Sequence, residues 1–592
     1  MKCMPNPDSR MQHYLWFLLC VGSAGYLGWA TFNQWIEPYI DFGSQVYCAW
    51  LVSLGKWPYL DFACYNGPFS VWFNGGLFAL TGPSLAALQI ANALWLIVLL
   101  TLLWLSLRQG WSKTAAWFGV LLFIWLFAFS RVQRVNGYNY IAPYAHEHTH
   151  GLVLGLLGLV LLEFSKGLRP SLLVFSGLCL GLTFLTKAEN SLAATAAAAL
   201  WWFLFAGQRR QIQTMVLKPF CLFATAFFLP LLTAFLYLAR RLPLEQALRG
   251  TTGSWFVVFD QQVRALPLFR TVQGTAHLGA NLILILQVAG ISMAAWLLMQ
   301  GLGQWKQRRG IAALIAGVSA TAIAFWQLDG QIWFNLMRVV PFAMTGLLVW
   351  QGMDWWHQRK IGIAGGQIRW QLVLTLFGTL LLLKIWFNCQ IVHYGFALAA
   401  VATVMCFARL WEGFGHADRL VWRLMLAPLL ISLVLSYHRE QLHQQTANPV
   451  TSLGRGGDRF LANGSFARTL AEVCPWVETH IRPDETLLVF PETTMINYLT
   501  RRQSPSRFTS FMPTETCLFG EQAMLDDLAA KPPDWLFIAP RNMTGLSAEF
   551  GHGYLDKLFL WMQENYEPVQ RICATNSDYA VFAMKRRAYS TP

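Results

Sequence analysis

Apolar runs of about 17–25 residues recur along the chain, and each is long enough to cross about 30 Å of hydrocarbon as a helix. No other feature constrains the fold as strongly. A backbone inside lipid must satisfy its own hydrogen bonds, so a chain with many such runs folds as a helical bundle within the bilayer. The spans read as 14–34, 84–107, 114–130, 151–165, 171–186, 190–206, 219–238, 281–300, 311–327, 335–353, 370–388, 394–410 and 420–437. That is about thirteen spans, with edges good to a few residues. Composition agrees. Of 592 residues, 55% are hydrophobic and only 12% are charged, too few charges to cover a soluble protein of this size. Residues 1–30 have the basic start and apolar stretch of a signal peptide, but with so many spans behind them they read as an uncleaved first helix.

A formal net charge of +14 would suit a nucleic-acid binder, yet its distribution argues against that partner. The Lys and Arg residues gather in alternate short connections. These hold Arg108 and Lys113; Lys166 and Arg169; Arg209, Arg210 and Lys218; Lys306, Arg308 and Arg309; Arg359, Lys360 and Arg369; Arg419 and Arg423. This is the positive-inside pattern, and it puts those connections and the N-terminus (Lys2, Arg10) in the cytoplasm. An odd number of spans then puts the C-terminus outside. Three long connections face outward: 35–83, 131–150 and 239–280. The first contains "GPFSVWFNGGLFALTGP", too short and too glycine-broken for a span, which reads as an interfacial or re-entrant helix. The eleven Cys show no CxxC pair and no zinc spacing, though a disulfide such as Cys48–Cys64 could form on the outer side.

The composition changes near residue 441. Residues 1–440 read as the membrane module, 441–464 as a turn-rich linker, and 465–592 as a small external α/β domain. In that domain the β-like runs "TLLVF", "DWLFIA", "VQRICA" and "DYAVFAMK" alternate with helical patterns at 465–481, 521–530 and 552–566, as an α/β arrangement requires.

The residues able to carry chemistry cluster on the outward side. Glu37 and Asp41 stand just beyond the first span, where a carboxylate can take a proton from a hydroxyl or amine or hold a divalent cation such as Mg²⁺, Mn²⁺ or Zn²⁺. The plainer reading of each is a solvated interfacial carboxylate. "HEHTH" puts His146 and His150 on one helical face and His148 on another. With Glu147 that set suits a metal, or it lines a polar pocket. Lys187 and Glu189 sit where a span ends; Lys187 reads as a phosphate contact, a partner of Glu189, or a snorkelling amine. Arg338 enters a span, a costly place for a guanidinium without an anionic or polar partner, and its fork suits a phosphate. Arg240 and Arg241 open the third loop, where either a lipid phosphate or ordinary headgroups would meet them. His393 and Tyr394 open the twelfth span.

Asp41 is followed by "GKWPYLDF", which holds Tyr59 and Asp61, and then by "NGPFSVWFN". That order resembles the first external loop of the GT-C membrane glycosyltransferases, in particular the bacterial branch related to protein O-mannosyltransferases and the lipid A aminoarabinose transferase. "NYIAPYAHEHTHG", "GLTFLTKAEN" and "HYGFALA" fit the same likeness, as does the span layout with an external C-terminal domain. The resemblance implies a GT-C fold in a bacterial inner membrane. It implies transfer of a sugar from a polyprenyl-phosphate donor to a glycan, lipid or protein acceptor, with inversion, and Asp41 as general base or as the anchor of a metal. The family often pairs that Asp with a Glu; here Phe42 follows it, which leaves Asp61, Glu147 and Glu37 as secondary acids. Lys187, Arg338, Arg240 and Arg241 are the candidates for the donor phosphate. Tyr59, His146, His148, His150, Glu189, His393 and Tyr394 are the candidates for the pocket wall. No nucleotide-binding signature is present. A transporter or flippase of a lipid-linked or small substrate is the competing reading, but such proteins tend to carry polar groups at the midplane and internal repeats, which this sequence lacks.

Overall fold

The structure, a computed structural model, describes residues 7–131, 138–208, 213–303, 309–327, 332–361, 365–413, 419–446, 450–543, 545–575 and 577–588. Lys2, Arg209, Arg210, Lys306 and Arg308, used above to orient the chain, lie outside them.

Every predicted span falls on a helix. The chain begins with α1 (Pro7–Ala30), and the first loop then folds as two short helices, α2 (Asp41–Ser53) and α3 (Phe69–Thr81). Next come α4 (Leu85–Gly110), α5 (Lys113–Phe123, continued by a π-helical turn to Ala128), α6 (His146–Ser165), α7 (Pro170–Phe184), α8 (Ala188–Gln208) and α9 (Gln213–Leu238). The third loop holds α10 (Leu244–Thr252), α11 (Trp255–Phe259), α12 (Gln261–Ala265) and α13 (Pro267–Gln273). The bundle closes with α14 (Leu278–Gly303), α15 (Arg309–Gln327), α16 (Ile332–Leu336), α17 (Val340–Lys360), α18 (Gly366–Leu381), α19 (Gly395–Leu398), α20 (Ala400–Glu412) and α21 (Arg419–Thr446). Among the described residues, seven helices are long and apolar enough to cross a membrane, and three apolar helices are shorter. Local chemistry sets several helix starts. Ser84 and Ser112 accept the Ala87 and Ala115 N–H groups, and Pro170 occupies a first-turn position, as helix N-termini favour.

The segment read as a linker is not irregular. It forms an antiparallel hairpin, β1 (Val450–Leu453) with β2 (Phe460–Asn463). Gly454 and Gly456 in its turn both have positive φ, so the glycines taken as linker signals are hairpin punctuation. After α22 (Gly464–His480) come β3 (Leu487–Phe490), α23 (Met495–Thr500), α24 (Pro513–Phe519), α25 (Glu521–Ala530), β4 (Trp535–Ile538), the short pair β5 (Glu549–Phe550) and β6 (Gly553–Tyr554), α26 (Asp556–Asn565), β7 (Tyr566–Ile572) and β8 (Val581–Arg586). The main sheet has the order β3-β4-β8-β7, with β3 and β4 parallel and the other pairs antiparallel. Side chains alternate across it. Leu487, Val489, Trp535 and Phe537 share a core with α22 and the bundle, whereas Leu488, Phe490 and Leu536 face a second core with Leu528 and Leu558.

This domain is seated on the bundle at two places. The Tyr39 ring lies 4.2 Å from the Phe466 ring, and its hydroxyl donates to the Pro540 carbonyl at 2.6 Å. On the other side Asp458 accepts the Leu85 N–H (2.9 Å), the Tyr498 hydroxyl (2.8 Å) and the Arg501 guanidinium (2.5 Å).

Candidate active site

The first loop turns sharply just before Asp41, and Glu37 makes the turn. Its carboxylate accepts the N–H groups of Tyr39 (2.8 Å) and Ile40 (2.7 Å), which delivers Asp41 as the first residue of α2. Burial pushes the Glu37 carboxyl up to about 7. Glu37 is thus a local cap and does not face the space into which Asp41 points.

That space is a cavity of ≈220 Å³. Asp41, Gln45, Asn66, Tyr138, Tyr144, Glu147, Lys187, His393 and Tyr394 line it from the bundle. Leu266 and Phe269 line it from the third loop, and Thr509, Ser510, Glu515, Glu492 and Arg541 from the α/β domain. The Tyr138 hydroxyl donates to Asp41 at 3.4 Å. Burial pushes the Asp41 carboxyl above the usual aspartate range. Arg541, Lys187 and the Tyr138 hydrogen bond pull it back, and Glu147 pushes it up again.

Glu147 is 4% exposed. One of its oxygens accepts Gln45 Nε2 and Asn66 Nδ2, each at 3.3 Å; the other has no protein partner. An orphaned carboxylate oxygen in a buried site is expensive, and this one belongs to a residue of the cavity wall. Lys187 occupies the turn between α7 and α8. That turn is pinned by Gly67 N–H on the Thr186 carbonyl (2.8 Å) and by Ala188 N–H on Ser254 Oγ (2.8 Å). A Cβ at Gly67 would fall 2.2 Å from the Leu185 oxygen, so the "NGP" glycine is what lets the first loop lie against the lysine-bearing turn. Lys187 Nζ is 3.4 Å from His148 Nε2 and 5.5 Å from the Tyr144 ring centre. Burial, with Lys384 nearby, holds its ammonium below the usual lysine range. Glu189 does not pair with Lys187 but with Lys384, at 2.8 Å, and Lys384 also sits 4.1 Å from the Tyr394 ring centre. His393 has a left-handed φ of 53°, and burial drives its imidazole down to about 4. It therefore faces the cavity neutral.

The remaining sequence candidates fall elsewhere. His146 and His150 share a face of α6, as the spacing expects, but that face is turned inward. His146 is held between Gln45 Oε1 (3.3 Å) and Asn92 Nδ2 (3.1 Å), and His150 meets Ser70 Oγ (3.1 Å). Among the described residues no three His, Cys, Asp or Glu side chains gather to hold a metal ion. Cys48 and Cys64 are both free thiols and line the cavity without a disulfide. Asp61 accepts the Trp57 N–H at 2.7 Å in an exposed turn, and the Tyr59 hydroxyl donates to the Asn66 carbonyl at 2.6 Å; both shape the loop. Arg240 and Arg241 lie over the Tyr237 and Trp57 rings, outside the cavity. Arg338 donates to Asn281 Oδ1 at 2.8 Å and does not reach the cavity. Sequence reasoning missed Tyr138, Tyr144, Lys384, Glu515 and the Glu492–Arg541 ion pair. Tyr144 stands in the "NYIAPYAHEHTHG" run without marking itself out from its neighbours; the others stand in no motif, and only the tertiary fold brings Tyr138, Glu515 and Arg541 to the cavity and Lys384 to its edge, against Glu189 and Tyr394.

No family model matches the chain, and no curated protein matches it in sequence. Solved structures do match. The Archaeoglobus fulgidus oligosaccharyltransferase tethered with an acceptor peptide containing the NVT sequon aligns over 98% of this chain and 75% of its own, at 11% identity and a TM-score of 0.50. The oligosaccharyltransferase AglB from the same organism, in complex with an inhibitory peptide and a dolichol-phosphate, aligns over 89% of this chain and 70% of its own, at 12% identity and 0.49. ArnT from Cupriavidus metallidurans bound to undecaprenyl phosphate aligns over 96% and 98%, at 12% identity and 0.43. At such identities the likeness is one of architecture: this chain is an integral membrane protein with the GT-C fold, carrying a C-terminal α/β region.

Proposed function

We propose that the protein is a glycosyltransferase that moves a sugar from a polyprenyl-phosphate donor to an acceptor at the outer face of a bacterial inner membrane, with inversion. The observation that carries this reading is the meeting of a carboxylate and an ammonium, Asp41 and Lys187, in one cavity between bundle and α/β domain. Asp41 takes the proton of the acceptor hydroxyl. The oxygen forms a bond to the anomeric carbon from the face opposite the phosphate, and the bond from that carbon to the phosphate oxygen breaks. The phosphate leaves on its lipid with the charge. Lys187, with Lys384 behind it, stabilises that charge in a site largely closed to water, where such an interaction is worth far more than in bulk solvent. The upward push of burial on Asp41 strengthens it as a base,. The neutral His393 and the ring of tyrosines can orient hydroxyls without adding charge.

The test is transfer from undecaprenyl-phosphate hexoses by the purified protein in vesicles. Asp41→Asn and Asp41→Ala should each lower the rate by roughly 10²–10⁴-fold, while undecaprenyl phosphate still binds. Full activity in both variants would remove Asp41 from the role. A wild type that moves such lipids across the vesicle without transferring sugar would establish the transporter reading instead.

A further inference from the structure

The lid of the cavity is supplied by the α/β domain, from the stretch between β3 and α25. Thr509, Ser510 and Thr514, which carry hydroxyls, line it there with the aromatic Phe519 and the carboxyl-bearing Glu515. Glu515 stands in the first turn of α24. Pro513 fixes the start of that helix, and the Phe511 N–H on the Pro491 carbonyl (2.7 Å) ties the approach to it. The hydroxyls of Ser510, from the same domain, and Tyr65, from the first loop, both bond the carboxyl. Its direction is therefore set from both sides of the interface. Burial and the neighbouring Asp41 raise it to about 7 against the pull of its hydrogen bonds, so near neutral pH it can donate as well as accept. The other carboxylate on the lid, Glu492, is taken by Arg541. Among the described residues Glu515 forms no salt bridge.

A carboxyl among hydroxyls and aromatic faces is equipped for a polyol. The oxygens take neighbouring hydroxyl groups, and the rings take the apolar face of a sugar. The lid's cation, Arg541, is paired with Glu492, and the charge that a phosphate needs is supplied from the bundle, at Lys187. We propose that Glu515 is an acceptor-binding residue, and that the group it holds is a carbohydrate presented to Asp41 from the side of the α/β domain. The proposal rests on the transferase reading above. In it the donor enters from the bundle, the acceptor is held under the lid, and a hydroxyl beside the one bound by Glu515 reaches Asp41.

The full-length protein in lipid nanodiscs tests this, with undecaprenyl-phosphate hexoses as donors, methyl hexosides and pentosides as acceptors, and undecaprenyl phosphate as the donor-side ligand. Glu515→Ala should raise the acceptor KM at least about tenfold, the loss of a hydrogen bond to a charged group. Undecaprenyl phosphate affinity should stay within about twofold, and Glu515→Asp should recover much of the acceptor affinity. An unchanged acceptor KM in Glu515→Ala, or an equal loss of donor binding and acceptor affinity, would overturn the assignment. A wild type that glycosylates peptides but none of the glycosides would overturn the acceptor class. A wild type that neither binds undecaprenyl phosphate nor transfers sugar would overturn the transferase reading, and this proposal with it.

Discussion

At the scale of the residue, the charge state of Asp41 depends on a cation carried by the α/β domain. Arg541 is held in place by Glu492 on the α/β domain, and of the groups that pull the Asp41 carboxyl down it pulls hardest. A base must be ionised to act, so transfer is lost as pH falls through the Asp41 pKa. Replacing Arg541 by Met removes a positive charge and uncovers Glu492, and both changes raise that pKa. The acid limb of the kcat/KM profile should therefore move to higher pH, by about one unit for a single nearby charge. A limb that stays where it was would mean that Asp41 does not limit the rate at low pH. Lys187→Met should act differently. It should raise the donor KM and lower kcat, leave the acceptor KM alone, and leave the acid limb unmoved or slightly higher. Separate donor and acceptor titrations would read this split.

At the scale of the element, the buried pair of Arg369 on α18 and Glu163 on α6 shows what the helices need away from the cavity. Arg369 Nη2 reaches both Glu163 oxygens, at 3.0 and 3.1 Å, and Trp201 Nε1 adds a third bond at 2.6 Å. The positive-inside count read Arg369 as a topology signal; in the fold it is also a buried partner. Breaking such a pair from one side strands a charge and costs about 3–5 kcal/mol. Glu163→Gln and Arg369→Met should each lower the thermal midpoint in detergent markedly, the double variant less than the two together, and transfer per folded molecule should persist in all three. The same elements show why the fold was legible. An apolar run long enough for a span has few alternatives, and β3, β4, β7 and β8 were visible because short runs holding apolar, β-branched or aromatic residues stand between turn residues,. The cavity wall was legible only where it rides on the first loop, the end of a span or a short motif: Asp41, Glu147, Lys187, His393 and Tyr394. The "HEHTH" run misled because helix α6 begins at His146, which turns two imidazoles into the bundle. Glu515 and Arg541 carry no local signal, since what makes them notable is a contact with residues on the far side of the chain.

At the scale of the whole molecule, the α/β domain supplies part of the cavity wall, and two clamps add to the apolar core that seats it on the bundle. Tyr39, two residues before Asp41, ties one side through Phe466 and Pro540, and Asp458 ties the other to the start of α4. Between them, three amides cross the interface. Ala63 N–H donates to the Arg507 carbonyl (2.7 Å), Ser504 N–H to the Tyr47 hydroxyl (2.8 Å) and Leu461 N–H to the Asn33 carbonyl (2.8 Å). The domain is one packed body, so a single broken clamp leaves it held by the other and by the shared core. Tyr39→Ala removes a half-buried ring contact worth about 1–3 kcal/mol, and Asp458→Ala strands donors at a cost of about 1–3 kcal/mol. Each alone should leave the three amides protected from hydrogen exchange. The double variant should expose all three together, by more than the sum of the single effects, because both clamps oppose the same opening. Transfer should fall in step with that exposure, since Glu515 and Arg541 leave the cavity with the lid, while undecaprenyl phosphate binding on the bundle side should decline less. Independent exchange of the three amides would mean that the domain is held piecemeal, and unchanged transfer in the opened variant would mean that the lid takes no part in catalysis.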